Sequence, residues 1–189
     1  MGKMENLVRC KACGFIARQS KIKDVCPACG VPAKMFEPYK HPVSLKRRRI
    51  LDLHTHPVLV HFPQAFALTL LLLALAAFFA SGSLAAAIYA TITVLSVLLP
   101  FFVLAAVATG LLDGKLRFRK VTTPLLKKKL LLSLIFFAGA VALAFLALAG
   151  DLTSLPAHLC ALLLALVVSI CGGLLGLIGG KLLDAKFPG

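Results

Sequence analysis

Four long stretches of this chain, roughly 57–80, 84–112, 130–149 and 155–180, contain no Asp, Glu, Lys or Arg. Each reaches or exceeds the roughly 20 apolar residues that a helix needs to cross a bilayer. In lipid every backbone N–H and C=O must be satisfied within the segment, so such stretches can only be helices. Four of them, with 60% hydrophobic residues and a mean hydropathy of +0.95, exclude an ordinary soluble domain. Ser81-Gly82-Ser83 and Gly150-Asp151-Leu152-Thr153 are tight turns between helices, so consecutive helices run antiparallel. Pro100 falls inside the second helix and predicts a kink, and Ser154 and Pro156 suit the start of the fourth. The expected fold is a membrane all-α, antiparallel bundle of four transmembrane helices.

The charge distribution gives the expected orientation. Of 21 Lys and Arg, twelve lie in residues 1–53, seven between Asp113 and Lys129, and two after Gly180. None lies in the turns at 81–84 and 150–154. Basic loops stay on the cytoplasmic side, so both termini and the middle loop are predicted there, in a multi-pass protein of the cytoplasmic membrane. The net charge of +14 is thereby explained without nucleic acid. Residues 1–50 are polar and basic, with no apolar core of a signal peptide. Lys46-Arg47-Arg48-Arg49 suits anionic lipid headgroups beside the bilayer. Gly172, Gly176 and Gly180 are spaced for close helix approach, within the bundle or across a homo-oligomer seam.

The polar N-terminal segment carries a different signal. Cys10-Lys11-Ala12-Cys13-Gly14 and Cys26-Pro27-Ala28-Cys29-Gly30 are two C-x2-C knuckles, each followed by glycine. A disulfide framework needs an oxidising compartment, whereas the predicted topology keeps these cysteines in the reducing cytosol. Four thiolates at this spacing form a tetrahedral cage for one metal ion. A module of residues 1–40 is too small for a self-sufficient core, so the metal supplies much of its folding energy. Phe15, Ile16, Val25, Val31, Phe36 and Tyr39 are the apolar residues available to pack around the site. A basic juxtamembrane linker, 41–55, then leads into the membrane domain, 56–189.

The two knuckles, Phe15 after the first Cys-Gly, the Cys-Pro-x-Cys-Gly second knuckle, and Lys34 and Phe36 resemble the small rubredoxin-like domain found at the end of rubrerythrins. The resemblance covers about residues 5–40. It implies a small β/loop fold in which Cys10, Cys13, Cys26 and Cys29 ligate one iron ion that passes single electrons. Zinc takes the same four thiolates, and spacing alone does not separate the two metals.

The stretch His56-Pro57-Val58-Leu59-Val60-His61-Phe62-Pro63 resembles the H-P-x-x-V-H-F-P start of a poorly characterised four-helix bacterial membrane-domain family. Gly110-Leu111-Leu112-Asp113 and Gly179-Gly180-Lys181-Leu182 extend the likeness. His54, His56, His61, Gln64 and Asp113 are expected at the cytoplasmic membrane edge, and polar residues there are functional candidates. His56, His61 and Asp113 are the candidate cofactor-binding residues, for a quinone or other small ligand; the bland alternative is helix capping. A heme needs two opposed axial ligands, and His158 lies about a bilayer thickness, roughly 30 Å, from His61. Cys160 and Cys171 are small packing residues. No Ser/His/Asp arrangement, P-loop or dinucleotide motif is present, so an electron carrier or redox subunit is expected rather than a stand-alone enzyme. The expected function is relay of single electrons by a membrane-tethered iron–tetrathiolate site between a cytoplasmic redox partner and the membrane. The alternative is a zinc-stabilised docking module of a membrane complex.

Overall fold

The computed structural model describes residues 6–183. They divide into two compact units, with the division between Leu45 and Lys46.

The first unit is a three-stranded antiparallel sheet in the order β2-β1-β3, with β1 at Leu7–Cys10, β2 at Ile16–Arg18 and β3 at Phe36–Tyr39. Val8 pairs with Ala17 on one side and Pro38 on the other, and Pro38 is tolerated because β3 is an edge strand. Single 3-10 turns occupy Gln19–Lys21 and Ala33–Met35. The apolar residues expected around the site do not make its core. Phe15 and Val25 are exposed, and Ile16, Val31, Phe36 and Tyr39 are half-buried. The buried residues are Leu7 and Val8 of β1, Val43, and two of the cysteines. A unit this small has too little volume to enclose aromatic rings, and the cysteine cage takes the place of a core.

The second unit is helical. Short helices α1, Leu45–Leu51, and α2, Thr55–Leu59, precede four long ones. These are α3 at His61–Ala77, α4 at Gly82–Phe118, α5 at Pro124–Ala149 and α6 at Leu155–Leu183. Consecutive long helices pack on one another and α3 packs on α6, so the four close into a ring. α4, α5, α6 and the helical stretch Lys46–Ala77 each contain an apolar window long enough to cross a membrane, with no more than 28% of the window buried inside the protein. The core is built from Leu70, Leu99, Leu143 and Val168 with small residues such as Ala74, Ala140 and Ala165. Phe79, Phe101, Phe145, Leu148 and Leu177 point outward. Outward Phe and Leu side chains, with alanines among the buried leucines, suit packing in lipid, where close backbone approach replaces the hydrophobic drive between helices.

Three boundaries differ from the sequence expectation. The first predicted helix, 57–80, is broken at Val60 and ends at Ala77; at the break, Pro63 lacks the N–H that would bond the Leu59 carbonyl. The middle loop, expected over 113–129, shrinks to residues 119–123. Charge alone does not stop a helix, and the Asp113–Arg117 pair at i,i+4, with Nε···Oδ2 at 2.9 Å, supports the extra turn of α4. Arg119, at φ +57°, ends α4 in the left-handed conformation. Thr123 Oγ1 accepts the Leu126 N–H and Pro124 opens α5 in its first turn. The linker over 41–55 holds α1, which carries the basic cluster. Arg47, expected to face lipid headgroups, donates from Nε to the Leu116 carbonyl at 3.0 Å and caps one of the last carbonyls of α4.

Candidate metal centre and the polar cavity of the helices

The two knuckles are the same structure twice. In the first, the Gly14 N–H donates to the Cys10 carbonyl at 2.9 Å and the Cys10 N–H to the Phe15 carbonyl at 2.8 Å. In the second, Gly30 donates to Cys26 at 2.9 Å and Cys26 to Val31 at 2.8 Å. Both glycines sit at positive φ, +77° and +76°, where a side chain is disfavoured. This is the physical reason a glycine follows each Cys-x2-Cys pair.

The repeat converges four sulfurs. Cys10 Sγ lies 3.8 Å from Cys29 Sγ, Cys13 Sγ lies 3.8 Å from Cys26 Sγ, and all four lie within 4.8 Å of one another. A tetrahedron of thiolates about 2.3 Å from a central ion has edges of about 3.8 Å. The donor set therefore fits a tetrahedral, thiophilic metal, as iron or zinc would be.

Burial opposes ionisation of Cys26, yet the N–H groups of Cys29 and Ala28 and the neighbouring thiols lower its pKa to about 7. The Val31 N–H favours the Cys29 thiolate, but the surrounding thiols and burial outweigh it and push this group up to about 12. One thiolate is favoured and its neighbour is opposed, so a cation at the centre favours ionisation of both. The first cysteine of each knuckle, Cys10 or Cys26, is buried, while the second, Cys13 or Cys29, is exposed. On the sheet beside the cage, Arg9 Nε donates to Glu37 Oε1 at 3.1 Å and the guanidinium lies 5.4 Å from the centre of the Tyr39 ring.

The polar residues expected at the membrane edge fall in two groups. His54 is exposed, in the left-handed conformation between α1 and α2. His56, His61, Gln64 and Asp113 line one cavity of about 300 Å³ among α2, α3, α4, α5 and α6. Asp113 pairs with Arg117 rather than with a histidine. His61 Nδ1 is 2.6 Å from the Pro57 carbonyl. His56 Nδ1 is 3.4 Å from Thr109 Oγ1 and its Nε2 is 3.5 Å from Lys129 Nζ. A Cβ on Gly110 would come within 2.8 Å of His56 Cε1, so that glycine makes room for the imidazole. The α6 glycines do the same, with Gln64 Nε2 donating to the Gly172 carbonyl at 3.0 Å and lying 3.0 Å from a Cβ placed on Gly176.

Sequence reasoning missed Lys129, Thr109 and Arg117. The i,i+4 spacing of Asp113 and Arg117 was a visible signal for one of them, whereas Lys129 was hidden in the run assigned to a loop.

His158 lies in a different environment. It is buried between the rings of Phe78 and Tyr89, with Nε2 3.0 Å from the Ala74 carbonyl and Nδ1 3.3 Å from the Tyr89 hydroxyl. Both of its nitrogens are engaged by protein partners. Cys160 is exposed and Cys171 buried in α6.

A family model described as the rubrerythrin, rubredoxin-like domain matches residues 9–37. That span contains all four cysteines and both knuckles, and the four long apolar helices follow it. No curated protein and no solved structure matches the chain.

Proposed function

We propose, from the rubredoxin-like character of residues 9–37, that this protein is a membrane-anchored one-electron carrier whose four cysteines hold iron at the cytoplasmic face. The observation that supports it most is the cage itself, four sulfurs within 4.8 Å with two of the cysteines exposed. Iron bound there would supply a one-electron couple, its potential tuned by the hydrogen bonds and exposure around the sulfurs.

Each part of the module has a role in that reading. Cys10 and Cys26, both buried, fix the site to the fold. Cys13 and Cys29 face solvent and form the edge on which a redox partner docks. The N–H groups of Ala28, Cys29 and Val31 favour negative charge on sulfur, which stabilises the more negative, reduced state. Four thiolates leave no open coordination position, which suits a carrier and not an enzyme acting on substrate at the metal. The long helices supply the anchor, and the basic residues of α1 and of the 119–123 connection favour a cytoplasmic location for both termini.

A redox titration of the purified full chain tests this reading. The expected result is a single one-electron transition, with a slope of about 59 mV per tenfold change in ratio. The transition should be lost in Cys26→Ser, while the helical content stays unchanged. A native chain that binds metal but shows no such transition contradicts the proposal, and the zinc-stabilised docking module then takes its place.

A further inference from the structure

The helical unit holds a cavity with its own chemistry, independent of the metal centre. Its walls are largely apolar, from Val60, Val107, Leu126, Phe136 and Leu175 among others. Its volume, about 300 Å³, is at the lower end of small-molecule sites, which run from about 300 to 1,000 Å³.

The hydrogen bonds assign the polar groups. The Thr109 hydroxyl donates to the Ala105 carbonyl at 2.8 Å, so its oxygen is left to accept from His56. His56 therefore carries its proton on Nδ1, and the bare Nε2 faces the Lys129 ammonium at 3.5 Å. His56 is neutral in this arrangement. Asp113 is bonded to Arg117 at 2.9 Å, and its charge also reaches Lys129 through the cavity they share. Lys129 remains, half-buried on α5. An ammonium has three N–H donors. Among the described residues Lys129 has one hydrogen-bond partner, His56, and no carboxylate within 4.0 Å.

A half-buried cation in an apolar cavity costs free energy unless an anion or strong acceptor meets it. The geometry points to a binding site for a single-chain amphipathic anion, its oxyanion head on Lys129 and its apolar chain along the cavity wall. A fatty carboxylate and an alkyl phosphate monoester share this chemistry. The oxyanion head meets the two remaining Lys129 donors. Glycines 110 and 176 leave the room that the His56 and Gln64 side chains occupy.

Isothermal titration of the full chain in non-ionic detergent tests the site with laurate, dodecyl phosphate, dodecanol and a decyl-benzoquinone. Laurate, dodecyl phosphate or both should bind, and the tighter of the two identifies the head group. Dodecanol and the quinone should bind at least about tenfold more weakly, the scale of one charged hydrogen bond. Lys129→Met should weaken anion binding by at least about tenfold, while Lys129→Arg should keep it within about threefold. If Lys129→Met does not fold, Val107→Phe fills the cavity, leaves every charge in place, and should abolish binding. Equal binding of dodecanol and laurate overturns the proposal. So does quinone binding that does not change in Lys129→Met, or the absence of binding by either anion. None of these outcomes depends on the metal held by the cysteines, so they do not bear on the electron-carrier reading.

Discussion

Gly14 and Gly30 carry more of the metal site than their size suggests. Each turns the chain at positive φ directly after an exposed cysteine, and neither has an atom within 4 Å of where a Cβ would stand. Substitution there is opposed by backbone strain alone, of about 1–2 kcal/mol per residue. Gly14→Ala and Gly30→Ala should each fold with metal but release it faster to a chelator, and the double variant should do so in a roughly additive way. Glu37 gives a pH test on the same sheet. The hydrogen bond and charge of Arg9 hold its carboxyl below the ordinary value of 4.5. A depressed carboxylate stabilises the fold above the unfolded pKa and loses that contribution as pH falls through the folded one. The melting difference between the native chain and Glu37→Gln should therefore be present at neutral pH and vanish in acid.

At the scale of elements, α3 and α6 are joined by polar contacts along their length. Gln64 donates to Gly172, Ser169 Oγ to the Ala67 carbonyl at 3.0 Å, and His158 to Ala74. The last of these has a backbone cause. The N–H groups of Phe78, Phe79 and Ala80 bond to carbonyls three residues back, Leu75, Ala76 and Ala77, so the end of α3 tightens. Tightening releases the Ala74 carbonyl, and His158 from α6 takes it. His158→Leu should lower stability by about 1–3 kcal/mol, read as a drop in melting temperature in detergent, because it leaves a buried carbonyl unpaired. This contact was not legible in the sequence, because it depends on the register of two helices far apart in the chain. The knuckles were legible because their hydrogen bonds close within five residues. The bounds of α4 and α5 were misjudged for a related reason: Lys115, Arg117 and Lys127–Lys129 read as loop, yet the helical ladder continues through both, aided in α4 by the Asp113–Arg117 pair.

For the whole molecule, the apolar pattern was enough to give four long helices, and their closure into a ring follows from short connections and small inward residues. The His56–Lys129 pairing required the three-dimensional arrangement of α2 and α5. The outward-facing Phe and Leu side chains fit a lipid surroundings, and the metal module stands as a separate compact unit. The two units should therefore fail separately. Cys10→Ser should abolish metal binding and expose residues 6–45 to protease, while the helical unit keeps its melting temperature. The account as a whole rests on which metal the four thiolates hold. Metal analysis with a visible spectrum of the full chain, purified in detergent from iron-replete cells, addresses this most directly. The account predicts one iron per chain and a ferric–thiolate absorption that bleaches on reduction and returns on reoxidation. One zinc per chain and a colourless protein would contradict it.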